Sequence, residues 1–437
     1  MKSTALLLGG VLALFAATLA GQSAPAPEPG PTPTVASAPA APAAYTLSPE
    51  KREKAIAYAR ARYRLHFVSF FWSVLVLVGI IAARLAPRFR DRAEAFSKGR
   101  FRQAAVFVPL LVIADTVLEL PTAMYGHHLS LLYDQSVQGW GSWFWDQAKD
   151  LLVGFVIAIP LVWLLYAILR RSSRRWWLWF WLALLPILVF LIFVTPLAID
   201  PLFFQFEPLA PDHPALARSI EEVTMRAGHR IAPERMFSMN ASSKYNSINA
   251  YVTGLGASKR VVVWDTTLKK ATIPQTLFVF GHEMGHYVLF HIPKSIAFFW
   301  GLLFVLLYLA AAILARLLGR PDRWGIRGVS DWASLPVLLL VATVGGEFAQ
   351  PVVSGFIRSQ EHQADIFGLE AIHGLVPDSP RAAAGAFQIL GEANLSDPDP
   401  SPFIRFWLYD HPPLAERLRF AAEYDPWGKG EKPRYMP

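Results

Sequence analysis

Six stretches of almost unbroken apolar residues dominate the chain, at roughly 66–86, 104–121, 151–169, 176–199, 295–318 and 334–357. Each has about the length a helix needs to cross a hydrocarbon core of about 30 Å. An earlier apolar run, Ala5 to Leu19 behind Lys2, predicts for 1–20 either a secretory signal peptide or a first span. The Pro/Ala-rich stretch 21–47 cannot bury a core and reads as a linker. Ser48, Pro49 and Glu50 then open a helix as N-cap, first-turn proline and acid. The pattern changes at 200–292, which is polar enough for a soluble domain. There Ala215 to Gly228 has helical periodicity, and Asn249–Thr253 and Lys259–Trp264 read as strands joined over Gly254, Gly256 and Ser258. Residues 274–291 return to helix from Pro274. The division predicted is therefore a helical segment with four spans over 48–199, a domain at 200–292, two spans over 293–357 and a mostly helical second piece of that domain at 358–437.

Composition supports a membrane protein. Hydrophobic residues make up 54% and charged residues 17% of the 437. The formal net charge is +8. Much of it sits in short connections between apolar blocks: Arg88, Arg90, Arg92, Lys98, Arg100 and Arg102 in 87–103, the arginines of 170–175, and Arg320, Arg323 and Arg327 in 319–333. A nucleic-acid binder would gather its charge on one soluble face, so that class is excluded. Basic short loops mark the cytoplasmic side. The 122–150 connection, with Asp134, Asp146 and Asp150, is acidic and falls on the other side, together with 200–292 and 358–437. The chain has no cysteine. Any metal must be held by histidine and carboxylate.

His282-Glu283-Met284-Gly285-His286 supplies such a set. On a helix, residues four apart lie on one face about 6 Å from each other, so both imidazoles can reach one Zn²⁺. Glu283 stands beside them, placed to take a proton from water. The competing reading is a surface helix with two stray histidines. A hydrolytic zinc needs a third protein ligand, and Glu361 is the candidate, with Asp365 one turn on to accept an N–H from a ligand histidine. His362 is a rival ligand about 100° away around the helix. Two spans separate His286 from Glu361, which returns both to one side of the membrane.

With these residues in view, the chain resembles the integral-membrane type I CAAX prenyl proteases, a family of zinc metalloendopeptidases. The likeness rests on Asn249-Ala250-Tyr251, the HExxH run, Arg358 with Glu361 and Ala364-Asp365, and His411-Pro412-Pro413 followed by Glu416-Arg417. Leu120-Pro121 with Tyr125, and the Arg-Arg-Trp-Trp run at 174–177, add to it. The resemblance implies a mainly α fold: a polytopic helical membrane bundle of six to seven spans around a chamber, with a small α+β gluzincin-type metalloprotease domain. It implies Zn²⁺ on His282, His286 and Glu361, and peptide or protein substrates. The Asn249–Tyr251 strand would bind the substrate backbone. His411 would donate to the oxyanion, with Arg417 supporting it. The Ala-, Arg- and Pro-rich usage suggests a bacterial chain, hence an inner membrane with the catalytic domain on the periplasmic side. The rival classes are a metal or ion transporter using the intramembrane acids Asp115, Glu119 and Glu347, an intramembrane metalloprotease, and a non-catalytic quality-control factor. The transporter would predict metal flux that survives Glu283→Gln, whereas polar Gln275 and Thr276 before the motif, and His291 and Lys294 after it, speak against a motif within a span.

Overall fold

The computed structural model describes residues 44–254, 259–319 and 322–436. The expected signal peptide or first span, most of the linker, and Gly256 and Ser258 of the expected turn lie outside the described residues. From Pro49 the chain is mostly helix. Helices α1 (Pro49–Ala82), α2 (Leu85–Phe96), α3 (Arg100–Leu132), α4 (Trp140–Arg171) and α5 (Trp176–Val194) precede a domain containing α6 (Pro214–Arg226), α7 (Asp265–Lys270) and α8 (Ile273–Val288). Then come α9 (His291–Leu317), α10 (Leu335–Ile372), α11 (Ser379–Asn394), α12 (Pro402–Leu408) and α13 (Leu414–Glu423). Among the described residues six helical segments are long and apolar enough to cross a membrane. Large apolar side chains on them, such as Phe71, Val156 and Phe190, face outward rather than into the protein, as a lipid-facing surface requires.

The helices overrun the apolar blocks that announce them. Ser48 caps α1 by accepting from the Lys51 N–H, so that helix begins well before residue 66. α3 continues through Pro121 to Leu132, and α4 starts at Trp140, so most of 122–150 is helix rather than loop. The basic 87–103 stretch also folds, as α2, with Ala86, Arg90 and Ala93 turned inward. Arg90 reaches Asp331 at 2.5 Å, and Arg327 reaches Glu94 and Asp91. The arginine-rich connections 87–103 and 319–333 thus meet at one end of the bundle. At the other end, Lys51 pairs with Glu392 at 2.9 Å, which sets the start of α1 beside α11.

The sheet has four strands: β1 (Phe206–Pro208), β2 (Met236–Met239), β3 (Ala250–Thr253) and β4 (Arg260–Trp264), in the order β1-β2-β4-β3. β2 and β4 run parallel, and the two outer pairs are antiparallel. β3 is an edge. Trp264 N–H donates to Asn249 C=O at 3.0 Å. Because ladder bonding alternates along an antiparallel pair, the backbone groups of Ala250 and Val252 point to the free side.

Two apolar cores result. One unites the membrane helices around residues such as Phe107, Leu165, Phe180 and Leu303. The other packs α6, the sheet, α8, α11 and α13 around Phe278, Phe280, Met284, Phe367 and Phe387. Helix α10 belongs to both. Its 38 residues extend about 57 Å at the α-helical rise. Val337, Leu339 and Val353 lie in the first core, and Phe367, Leu369 and Ile372 in the second. The sequence pattern suggests a span ending near 357 and a separate polar piece after it. In the structure one unbroken helix carries the chain from bilayer to domain.

Candidate metal centre

The motif helix α8 begins with a capping box: Thr272 Oγ1 accepts from Gln275 N–H, and the Gln275 side chain accepts from Thr272 N–H. It ends at Val288, earlier than the expected 291, and crosses α10 at very short range. A Cβ on Gly281 would lie 3.0 Å from Gly368 O, and one on Gly285 would lie 3.1 Å from Ala364 Cα. Small residues four apart let helix backbones approach closely. Gly281 and Gly285 on one helix and Ala364 and Gly368 on the other do this here. That spacing is present in the sequence and overlaps the metal motif, Gly281 preceding His282 and Gly285 preceding His286.

The close crossing brings His282, His286 and Glu361 together. His282 Nε2 lies 3.2 Å from His286 Nε2 and 3.2 Å from Glu361 Oε2. His286 Nε2 is 3.5 Å from Glu361 Oε1. Ligand atoms about 2.0–2.1 Å from a tetrahedral metal are about 3.3 Å apart, which these edges match. His282 is buried, and its other nitrogen is engaged: Nδ1 lies 2.8 Å from Asp365 Oδ1. Glu361 Oε2 is buried, with His282 Nε2 at 3.2 Å and His411 Nε2 at 3.0 Å. Two ring nitrogens and a carboxylate whose ligand atoms all lie within 4.8 Å of one another suit a divalent cation, and the borderline N and O donors suit zinc among others.

The surrounding groups tune the site. Burial disfavours charge on His282, but the hydrogen-bonded Asp365 and Glu361 carboxylates override it and push the imidazole pKa up to about 9. A site this rich in negative charge draws a cation. Burial also pushes the Glu283 carboxyl up to about 7, with Glu361 adding to the rise and His282 and His411 opposing it. The Val252 N–H favours the charged form of Glu283, which places this carboxyl against the β3 edge. His411 Nε2 stands 3.0 Å from Glu361 Oε2, and its Nδ1 is 2.8 Å from Asp410 Oδ1. Burial works against its protonation, yet Glu361 and Asp410 hold its pKa well above the usual imidazole value.

Several expected residues sit elsewhere than the sequence suggests. Arg417, expected behind His411, puts its fork on Asp365, with Nε donating at 2.8 Å and Nη2 at 2.6 Å. It therefore stands one residue removed from His282. His362 packs against Phe420 with ring centroids 4.7 Å apart and takes no part in the metal group. Tyr251 and Ala250 lie on β3, but Asn249 falls just before it and binds Thr267 Oγ1 through its N–H. Glu347 accepts from His66 or faces it at 3.1 Å, and accepts from Trp407 Nε1 at 2.8 Å, so it ties α1, α10 and α12 together. Asp115 and Glu119 are buried on α3. Arg358 was noted in the sequence without a role. It donates to the Arg405 and Tyr409 carbonyls and fixes the segment that leads to His411.

Comparison with known proteins agrees with this arrangement. Residues 34–205 match the family model described as CAAX prenyl protease N-terminal, five membrane helices. Residues 211–425 match Peptidase family M48. An uncharacterized metalloprotease of Bacillus subtilis, YhfN, is 32% identical over 86% of this chain and 87% of its own. CAAX prenyl protease 1 of Saccharomyces cerevisiae is 26% identical over 72% of this chain and 71% of its own. The crystal structure of S. mikatae Ste24p superposes with a TM-score of 0.72 at 25% identity, covering 86% of this chain and 89% of that one. The likeness runs through the membrane helices and the metal-ready domain alike, so this chain is a multi-pass membrane metalloendopeptidase, dependent on a metal ion and acting on peptide or protein substrates, and it belongs to peptidase family M48.

Proposed function

We propose that the metal is Zn²⁺, held by His282, His286 and Glu361, and that the protein hydrolyses internal peptide bonds at this site. The observation that carries the reading is the triangle of ligand atoms, with edges of 3.2, 3.2 and 3.5 Å. Bound zinc supplies Lewis acidity, which acidifies water and polarises a carbonyl. The chain's own groups do the rest. Glu283 accepts the proton of the attacking water and returns it to the leaving amine. His411 donates from Nε2 to the developing oxyanion. Asp365 holds the His282 Nδ1–H, which keeps Nε2 free as a ligand, and Arg417 holds Asp365. An extended substrate adds to the edge of β3, where the outward carbonyls of Ala250 and Val252 accept and the Ala250 N–H donates, the Val252 N–H facing Glu283, with Tyr251 and Asn249 setting the strand in place.

In this reading 200–292 and 358–437 form one catalytic domain, carried by four helical spans within 48–199 and two within 293–357. It lies outside the cytoplasm, in the periplasm of a bacterial inner membrane, because the arginine-rich connections cluster at the opposite end of the bundle. An alkaline phosphatase fused at the C-terminus would be active there, and an inactive fusion would overturn the orientation. The function is tested on purified protein in detergent, by measuring zinc content and peptide cleavage with and without chelator. Cleavage by chelated, zinc-free protein would refute it.

A further inference from the structure

We infer that His291 is a positioning residue for the metal: it accepts the Nδ1–H of His286 and so fixes the tautomer and ring orientation of the second ligand. This rests on the reading of His286 as a ligand. On an unbroken helix a residue five positions after His286 would lie about 140° around the axis and could not return to it. The helix is broken here. Phe290 adopts φ 57 and ψ 34 between α8 and α9, a left-handed conformation that a non-glycine residue adopts only at an energetic cost. That turn swings His291 back under His286. The two Nδ1 atoms are 3.1 Å apart, with the rings edge to face at 72°.

The tautomers follow from geometry. His286 Nε2 points at His282 and Glu361, so as a ligand it must present a lone pair there and carry its proton on Nδ1. His291 Nδ1 is then the acceptor, and His291 holds its own proton on Nε2. The residue is only 1% exposed, and the Gln363 side chain accepts from its ring. A buried imidazole needs a partner for each nitrogen, and His286 Nδ1 on one side and Gln363 on the other supply them. The residue is further tied into α10: Gln360 Nε2 donates to the His291 carbonyl at 3.4 Å, and Ser295 Oγ donates to Gln360 Oε1 at 2.9 Å. The ligand pair is thereby supported unequally. His282 leans on an anionic carboxylate held by Arg417, and His286 on a neutral ring.

The test uses the purified full-length protein, with Zn²⁺ affinity measured by chelator competition and the visible spectrum of bound Co²⁺ as a report of ligand geometry. His291→Phe keeps the ring volume without an acceptor, whereas His291→Asn places an oxygen where Nδ1 stood. We expect His291→Phe to weaken Zn²⁺ binding by about 10- to 100-fold and to shift the Co²⁺ bands, and His291→Asn to restore both. Wild-type affinity and spectrum in His291→Phe would overturn the inference. So would an equal loss in His291→Asn, which would mark the role as packing. If His291→Phe does not fold, His291→Gln decides: its acceptor sits one bond too far, and binding as tight as that of His291→Asn would overturn the inference. His286→Ala separates the two levels, since zinc retained there would remove the ligand reading itself.

Discussion

A methyl group on Gly368 would stand 2.9 Å from the backbone nitrogen of His282. The metal site depends on that contact, because both ligand-bearing helices are at their closest approach there, and short side chains must converge from each. Gly368→Ala should force the helices apart, costing about 1–3 kcal/mol, typical of an overpacked core. The melting temperature should fall, and Zn²⁺ affinity should fall with it. Unchanged zinc binding in a folded Gly368→Ala protein would show that the crossing distance is not limiting.

Glu283→Gln should keep full zinc content, because Glu283 is outside the ligand triangle. Peptide cleavage should drop by about 10²- to 10⁴-fold, the usual worth of a general base. Metal analysis and cleavage rate on the same sample check both halves.

Metal removal should destabilise the wild type. At a free zinc concentration 100 times Kd, binding adds about 2.7 kcal/mol to the folded state. A chelator should therefore lower the melting temperature of the wild type and leave that of Glu361→Ala where it already lies. Equal shifts in the two proteins would count against Glu361 as a ligand.

Arg417 and Asp365 form a buried pair, 9% and 1% exposed. Arg417→Met would strand a carboxylate in the core, at a cost of about 3–5 kcal/mol. Adding Asp365→Asn should recover part of that loss. Thermal unfolding of the two single variants and the double variant measures the coupling, and simple additivity would mean the pair does not act as one.

The free edge of β3 predicts a backbone signature in the substrate. N-methylation of a cleaved peptide at one residue that pairs with Ala250 or Val252 should lower kcat/KM by about tenfold, the loss of one hydrogen bond of about 1–1.5 kcal/mol. Methylation one residue away should have little effect. A flat N-methyl scan would exclude strand addition.

Much of this protein was legible in the chain. Apolar runs of bilayer length name the spans whatever their packing, since length and hydropathy alone satisfy the hydrocarbon core. Residues 282, 283 and 286 can be placed on one helix because their spacing is local and helical geometry is fixed. Glu361 and Asp365 were readable as one-turn neighbours for the same reason. The limits of the helices were less so. Apolar blocks mark only what lipid touches, whereas α1, α3 and α10 run on through polar turns, α3 and α10 even across internal prolines.

What the sequence determined by itself was the set of local relationships: the membrane spans, the paired histidines, the acid one turn from another acid. Only the tertiary structure decided which distant groups meet. It placed Arg417 on Asp365 rather than behind His411, left β3 as a free edge against Glu283, and folded His291 back onto His286 through Phe290. Such encounters depend on how closely two helices cross and where a chain reverses. Those distances are set by side-chain volume across a core, in particular the missing Cβ atoms of Gly281 and Gly368; the spacing of small residues along one helix does not say which other helix it will meet.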